Sequence, residues 1–199
     1  SLANSNSTLF RVDQCATYDG SSSNLVTVNV NGSGSKGYTI ATKGTTFTSG
    51  GTTISVNGDN ATGININSGA GTDDKVKLSG ETQITVTGSG STIATVDGNT
   101  YNLLGKKVGQ DGAKLITEAQ LTAGNGGHVA ENAIGYKVIN KGELVQNGAI
   151  DFSNASDTTG VYIDGGTLTN NGTITSNGIG VDVYQTGAGT SVVNNASNI

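Results

Sequence analysis

The chain has 199 residues, enough for one domain of ordinary size, with a formal net charge of −5, 13% charged residues and 5% aromatic residues. Gly, Asn, Thr and Ser make up about half of it and Pro is absent, whereas a disordered chain is usually rich in Pro and charge. No apolar run is long enough to span a bilayer, and no secretory leader pattern is read in the chain.

The first 25 residues carry no sustained period. They hold Cys15, the single cysteine, so an internal disulfide framework is ruled out. Cys15 is expected to act as a small buried apolar side chain. From Val26 apolar residues alternate strictly: Val26, Val28, Val30; Ile54, Val56; Ile64, Ile66; Val76, Leu78; Ile84, Val86. That alternation predicts strands with one buried face, and the Thr-rich polar half suits the exposed face. The absence of Pro, which would remove a ladder N–H wherever it fell, fits a chain that is nearly all sheet.

Between two of these runs lies GSGSKG, residues 32–37, which matches G-x-G-x-x-G. A dinucleotide site needs a helix next, but YTIATKGTTF follows and reads as strand, so the match is taken as a Gly/Ser-rich turn. Gly50-Gly51 and Asn57-Gly58-Asp59 would also suit antiparallel hairpins. Asp73-Asp74 and Asp157 sit in turns without the spacing of a calcium loop, and turn acids usually cap backbone N–H groups. The stretch 103–132 reads as a linker or excursion loop, in which Thr117-Glu118-Ala119-Gln120 has the spacing to start one helical turn. His128, the single histidine, lacks a second imidazole at the fourth residue on, which is Asn132, and is read as a loop residue.

A repeat then emerges. Gly-apolar-x-apolar recurs at Gly135-Tyr136-Lys137-Val138, Gly160-Val161-Tyr162-Ile163 and Gly180-Val181-Asp182-Val183. A second unit, Asn147-Gly148-Ala149-Ile150, recurs at Asn171-Gly172-Thr173-Ile174 and, one residue longer, at 195–199. Both advance by 20–25 residues. Short strands of that period cannot bury an apolar face alone, but stacked copies can, which predicts an all-β fold, a parallel β-helix or β-solenoid. Right-handed coiling is expected, because crossovers between parallel strands almost always have that hand. Val161 and Ile163 point inward and Tyr162 outward; Asn and Gly fill corners that need positive φ, and stacked Asn side chains bond along the column. At this period the chain would make roughly 8–10 coils, a rod ~40–50 Å long. Residues 1–25 are expected to form an N-terminal cap over the open edge. Residues 26–133 are expected to form irregular β-rich coils with an excursion near 105–133, and residues 134–199 the regular β-helix.

If Gly160 and Gly180 stack, Tyr162 lies beside Asp182 and Asp164 beside Tyr184 on the outer face, with Lys137 extending the first column by one coil. Two aromatic rings flanked by acceptors suit a sugar or a protein partner. Such residues are also what any exposed strand face holds.

The run VINKGELVQNGAI…GVYIDGGTLTNNGTITSNGIGVDVYQTG resembles the passenger domains of large autotransporter adhesins of Gram-negative bacteria, and is also similar to filamentous haemagglutinin-type exoproteins. The resemblance covers about residues 134–199, with the earlier part alike in composition. It implies a right-handed parallel β-helix secreted to the bacterial surface, with its signal peptide and outer-membrane barrel outside this sequence. The absence of Met likewise reads as a piece of a larger protein. The G-D-S-G nucleophile motif of protease passengers does not occur. An adhesin is therefore expected: monomeric, non-enzymatic, without cofactor or metal, binding a host-cell or bacterial surface receptor. From Lys141 onward one Lys faces five carboxylates, so no nucleic-acid partner is expected. The other readings are a passive spacer, a polysaccharide lyase or glycosidase, for which converging carboxylates would be needed, and an ice binder, for which Thr pairs at one repeat spacing would be needed.

Overall fold

The computed structural model describes residues 3–21, 26–102, 104–124, 130–186 and 189–199. No helix occurs among them. The first turn carries β1 (Thr8–Val12), β2 (Thr17–Asp19) and β3 (Val26–Val30), and the second β4 (Lys36–Ala41), β5 (Thr46–Thr48) and β6 (Thr52–Val56). The third carries β7 (Thr62–Asn67), β8 (Val76–Leu78) and β9 (Gln83–Val86). In the fourth, β10 (Thr92–Asp97) precedes a hairpin of β11 (Thr100–Tyr101) and β12 (Lys107–Gly109), before β13 (Ala113–Thr117) and β14 (Gln120–Ala123). The last turns are β15 (Ile134–Ile139), β16 (Gly142–Gln146), β17 (Ala149–Phe152); β18 (Thr159–Asp164), β19 (Thr167–Asn170), β20 (Thr173–Ser176); and β21 (Ile179–Tyr184), β22 (Val192–Asn195).

Each turn stacks on the one before. The leading strands β1, β4, β7, β10, β15, β18 and β21 make one parallel sheet of seven; β2, β5, β8, β13, β16, β19 and β22 make a second; β3, β6, β9, β14, β17 and β20 make a third, of six. This is a β-solenoid. Two inward columns run along the first sheet, Phe10-Tyr38-Ile64-Ala94-Tyr136-Val161-Val181 and Val12-Ile40-Ile66-Val96-Val138-Ile163-Val183. The third sheet answers with Val28-Ile54-Ile84-Leu121-Ile150-Ile174. Apart from Phe10 and Val183, which are exposed on the two end strands, and Val181, which is partly buried, these side chains belong to the apolar core of the described residues, and each full burial of an Ile or Leu contributes about 1.5–3 kcal/mol.

The period differs from expectation. Successive partners from Phe10 to Val181 are 28, 26, 30, 42, 25 and 20 residues apart. The stack therefore has six complete turns and a two-strand start of a seventh, roughly 30 Å at ~4.8 Å per strand, rather than the 8–10 coils expected. Ladder pairing fixes the strands, while corners absorb extra residues at the surface. The strands β3 to β10, where sequence spacing wanders, stand on the same three ladders as β15 to β22.

In the 1–25 segment, expected to cap the edge, β1 and β2 are the first strands of two ladders: Phe10 pairs with Tyr38 and Tyr18 with Phe47. Phe10 stacks on Tyr38 at 5.2 Å between centroids and Tyr18 on Phe47 at 4.9 Å, so aromatic rings cover this end of the core. Cys15 is exposed rather than buried, because it sits in a corner at φ 61° with Sγ toward the Lys43 carbonyl. Within the stretch expected as an excursion, β12 pairs antiparallel with β11, while β13 and β14 lie on the ladders. Thr117-Glu118-Ala119-Gln120 is a corner, not a helical turn, since Thr117 Oγ1 accepts from Ala119 N–H at 3.1 Å and strands lie on either side.

One corner repeats from turn to turn. Asn6, Gly34, Asn60, Gly90, Asn132 and Asp157 all have φ between 53° and 65°, in the left-handed region that Gly and Asn tolerate best. GSGSKG supplies the Gly34 member of this column. Asn6 N–H donates to Ser33 O at 2.9 Å, Gly34 to Asp59 O at 2.9 Å and Asn60 to Ser89 O at 2.9 Å, so the ladder continues through the corner. Side chains extend it: Asn57 donates to Asn31 Oδ1 at 2.8 Å and Thr87 to Asn57 Oδ1 at 2.8 Å; at the corner between the second and third sheets, Asn171 donates to Asn147 Oδ1 at 2.8 Å.

Candidate functional site

On the outer face of the first sheet the register pairs Lys137 with Tyr162 and Tyr162 with Asp182, and in the next column Asp164 with Tyr184. The cause is local. Val161 and Ile163 are fully buried, so the intervening Tyr162 must point out. Gly160 sets the start of the unit, since its backbone lies against the Gly180 carbonyl with no room for a side chain.

The five residues meet. The Tyr162 and Tyr184 rings stack with centroids 5.3 Å apart and planes at 28°, and Lys137 Nζ lies 5.7 Å from the Tyr162 centroid. Burial, followed by the negative charge of Asp164, pushes the Tyr162 phenol above its ordinary range. Asp164 Oδ1 accepts from Thr186 N–H at 2.6 Å and Oδ2 from the Thr186 hydroxyl, so this carboxylate ties down the chain after β21. Asp182 makes no side-chain hydrogen bond to the described residues and points to solvent beside two phenols. The face therefore offers two hydroxyls, one carboxylate, an ammonium group and the edges of a ring stack, which suits weak polar recognition of a sugar or a peptide.

Other sequence candidates do not assemble. Asp74 pairs with Lys114 at 2.6 Å and Asp73 with Lys75 at 3.2 Å, and Asp157 is a corner residue. Among the described residues, no three His, Cys, Asp or Glu side chains gather as metal ligands. His128 lies outside the described residues.

A second concentration of polar groups was not foreseen from the sequence. Thr39, Asn65, Asn67 and Asp97 point outward from the first sheet yet are 5–9% exposed, because the β11–β12 hairpin folds over them. Asp97 pins that fold: Oδ2 accepts from Tyr101 OH at 2.6 Å, and Oδ1 from Asn99 N–H and Asn140 Nδ2, each at 3.0 Å. The only sequence signal was the extra length between the Thr92 and Ile134 strands.

No protein-family model, curated protein or solved structure matches the chain.

Proposed function

We propose that this chain is part of a rod displayed on a Gram-negative bacterial surface, like the autotransporter passengers its repeats resemble, and that it attaches to host cells or other bacteria by non-covalent binding. The observation that carries the reading is the outer-face column Lys137-Tyr162-Asp182 with Tyr184 stacked beside it. A solenoid holds such side chains on rigid strands, so little side-chain freedom is lost when a partner docks. Its chain would also thread an export pore without internal disulfides, and coil-on-coil stacking propagates from one end.

One observation favours a spacer instead. Tyr184 and Lys137 both lie on the Tyr162 ring, so the column satisfies much of itself without a partner.

Binding of the labelled chain to epithelial cells and to bacteria, with free sugars as competitors, separates the two. Adhesion predicts saturable binding that falls at least about tenfold in a Tyr162→Ala/Tyr184→Ala variant, the loss of roughly 1.4 kcal/mol that two aromatic contacts supply. Undiminished binding in the variant moves the site off this face. No binding to any surface makes the chain a spacer.

A further inference from the structure

The pocket under the β11–β12 hairpin has the features of a ligand site distinct from the tyrosine column. It encloses about 330 Å³ between the outer face of the first sheet and Tyr101-Asn102 of the hairpin. That size lies in the range of small-molecule sites. Its lining carries no aliphatic side chain, which excludes an apolar guest.

The polar groups divide into used and unused. Asp97 is held by its three donors, two on Oδ1 and one on Oδ2. Asn65 is 8% exposed and makes no side-chain hydrogen bond to the described residues, so its amide can reach only the pocket. The Asn67 Oδ1 accepts from Ser68 Oγ at 2.9 Å, which leaves its NH₂ group as a donor. Buried Thr39 Oγ1 has no hydrogen-bond partner among the described residues, an unfavourable arrangement for a desolvated hydroxyl. At the rim, Lys36 has no ion-pair partner among the described residues, and Arg11 holds Asp13 through Nε and Nη2, leaving Nη1 open. Unspent amides on the floor, with the unpaired Lys36 ammonium and the open Nη1 of the Asp13-paired Arg11 on one side, call for a guest with several hydroxyls and one negative group.

We propose that this pocket binds a carboxylated saccharide, of the uronic acid class, with its hydroxyls on Asn65 and Asn67 and its carboxylate on Lys36 and Arg11. Charge-assisted bonds from Lys and Arg supply the preference for the acid, and the amides supply the fit to a polyhydroxyl ring. The site sits on the first four turns, apart from the Tyr162 column, and its occupancy is read in solution without cells. Failure here and failure of the adhesion reading are therefore separate results.

The test is titration of the isotope-labelled chain with glucuronate, glucose and inorganic phosphate, following the Asn65 and Asn67 side-chain amide signals. The expected result is saturable shifts with glucuronate, a Kd on the order of 1 mM, and at least tenfold weaker effects of glucose and of phosphate. Lys36→Gln should weaken glucuronate at least tenfold while leaving the amide spectrum otherwise folded. Asn65→Ala provides a second loss should the first variant misfold. The proposal is overturned by absence of shifts, by glucose or phosphate acting as well as glucuronate, or by undiminished binding in both variants.

Discussion

A methyl group added at Gly160 would lie 2.6 Å from the Gly180 carbonyl oxygen and 2.7 Å from Ile174 Cγ2, closer than atoms in either place can sit. The same carbon at Gly51 would meet only Glu81 Oε2, at 3.8 Å. Gly160→Ala should therefore cost about 2 kcal/mol, as overpacking does, and Gly51→Ala less than about 0.5 kcal/mol. Urea midpoints of the two variants check this, and equal losses would contradict the packing described. The glycine of the repeated G-V-x-I unit is thus a matter of backbone approach between turns. At Gly90 the reason is different: φ is 65°, in a corner column shared with Asn60 and Asn132. The sequence showed the glycines in both places, but only the register tells the two roles apart.

Among elements, the first sheet concentrates the tyrosines. Tyr38 and Tyr136 are fully buried on its inner side, where burial pushes both phenols above their ordinary range, and Tyr162 on the outer side is raised as well. A phenol whose folded value is raised favours the fold below the unfolded value near 10 and loses that contribution as pH climbs. The denaturation midpoint should stay level from about pH 7 to 9 and fall steeply above about pH 10, with absorbance at 295 nm showing that the buried Tyr38 and Tyr136 ionise only on unfolding. Tyrosines that all titrate near pH 10 in folded protein would refute this. The strands themselves were legible: Val28, Ile54, Ile64, Ile66, Ile84 and Val86, picked out by alternation, are all buried. The corner at Thr117-Glu118 and the short β11–β12 hairpin were not, because an ST turn and a capping box share a sequence pattern and a two-residue strand carries no period.

For the whole molecule, what decides the fold is that each turn buries its apolar face on the next. Turn length is then free to range from 20 to 42 residues, which is why the regular tail revealed the solenoid and the earlier residues did not reveal their coil boundaries. The same distinction governs the sites. Lys137, Tyr162 and Asp182 were legible because a sequence repeat placed them one turn apart. The pocket at Asn65 and Asp97 was not, since it exists only when residues far apart in the chain stack and a hairpin folds over them. Both candidate sites rest on this register, and a disulfide tests it most directly. In a Cys15→Ser background, Tyr162→Cys/Asp182→Cys places two thiols on adjacent parallel strands, with Cα atoms ~4.8 Å apart and within bridging range. Lys137→Cys/Asp182→Cys places them two turns apart, roughly 10 Å and out of range. Mild oxidation followed by mass spectrometry should find the intramolecular bridge in the first protein and free thiols in the second; a bridge in the second, or in neither, would contradict the stacking described.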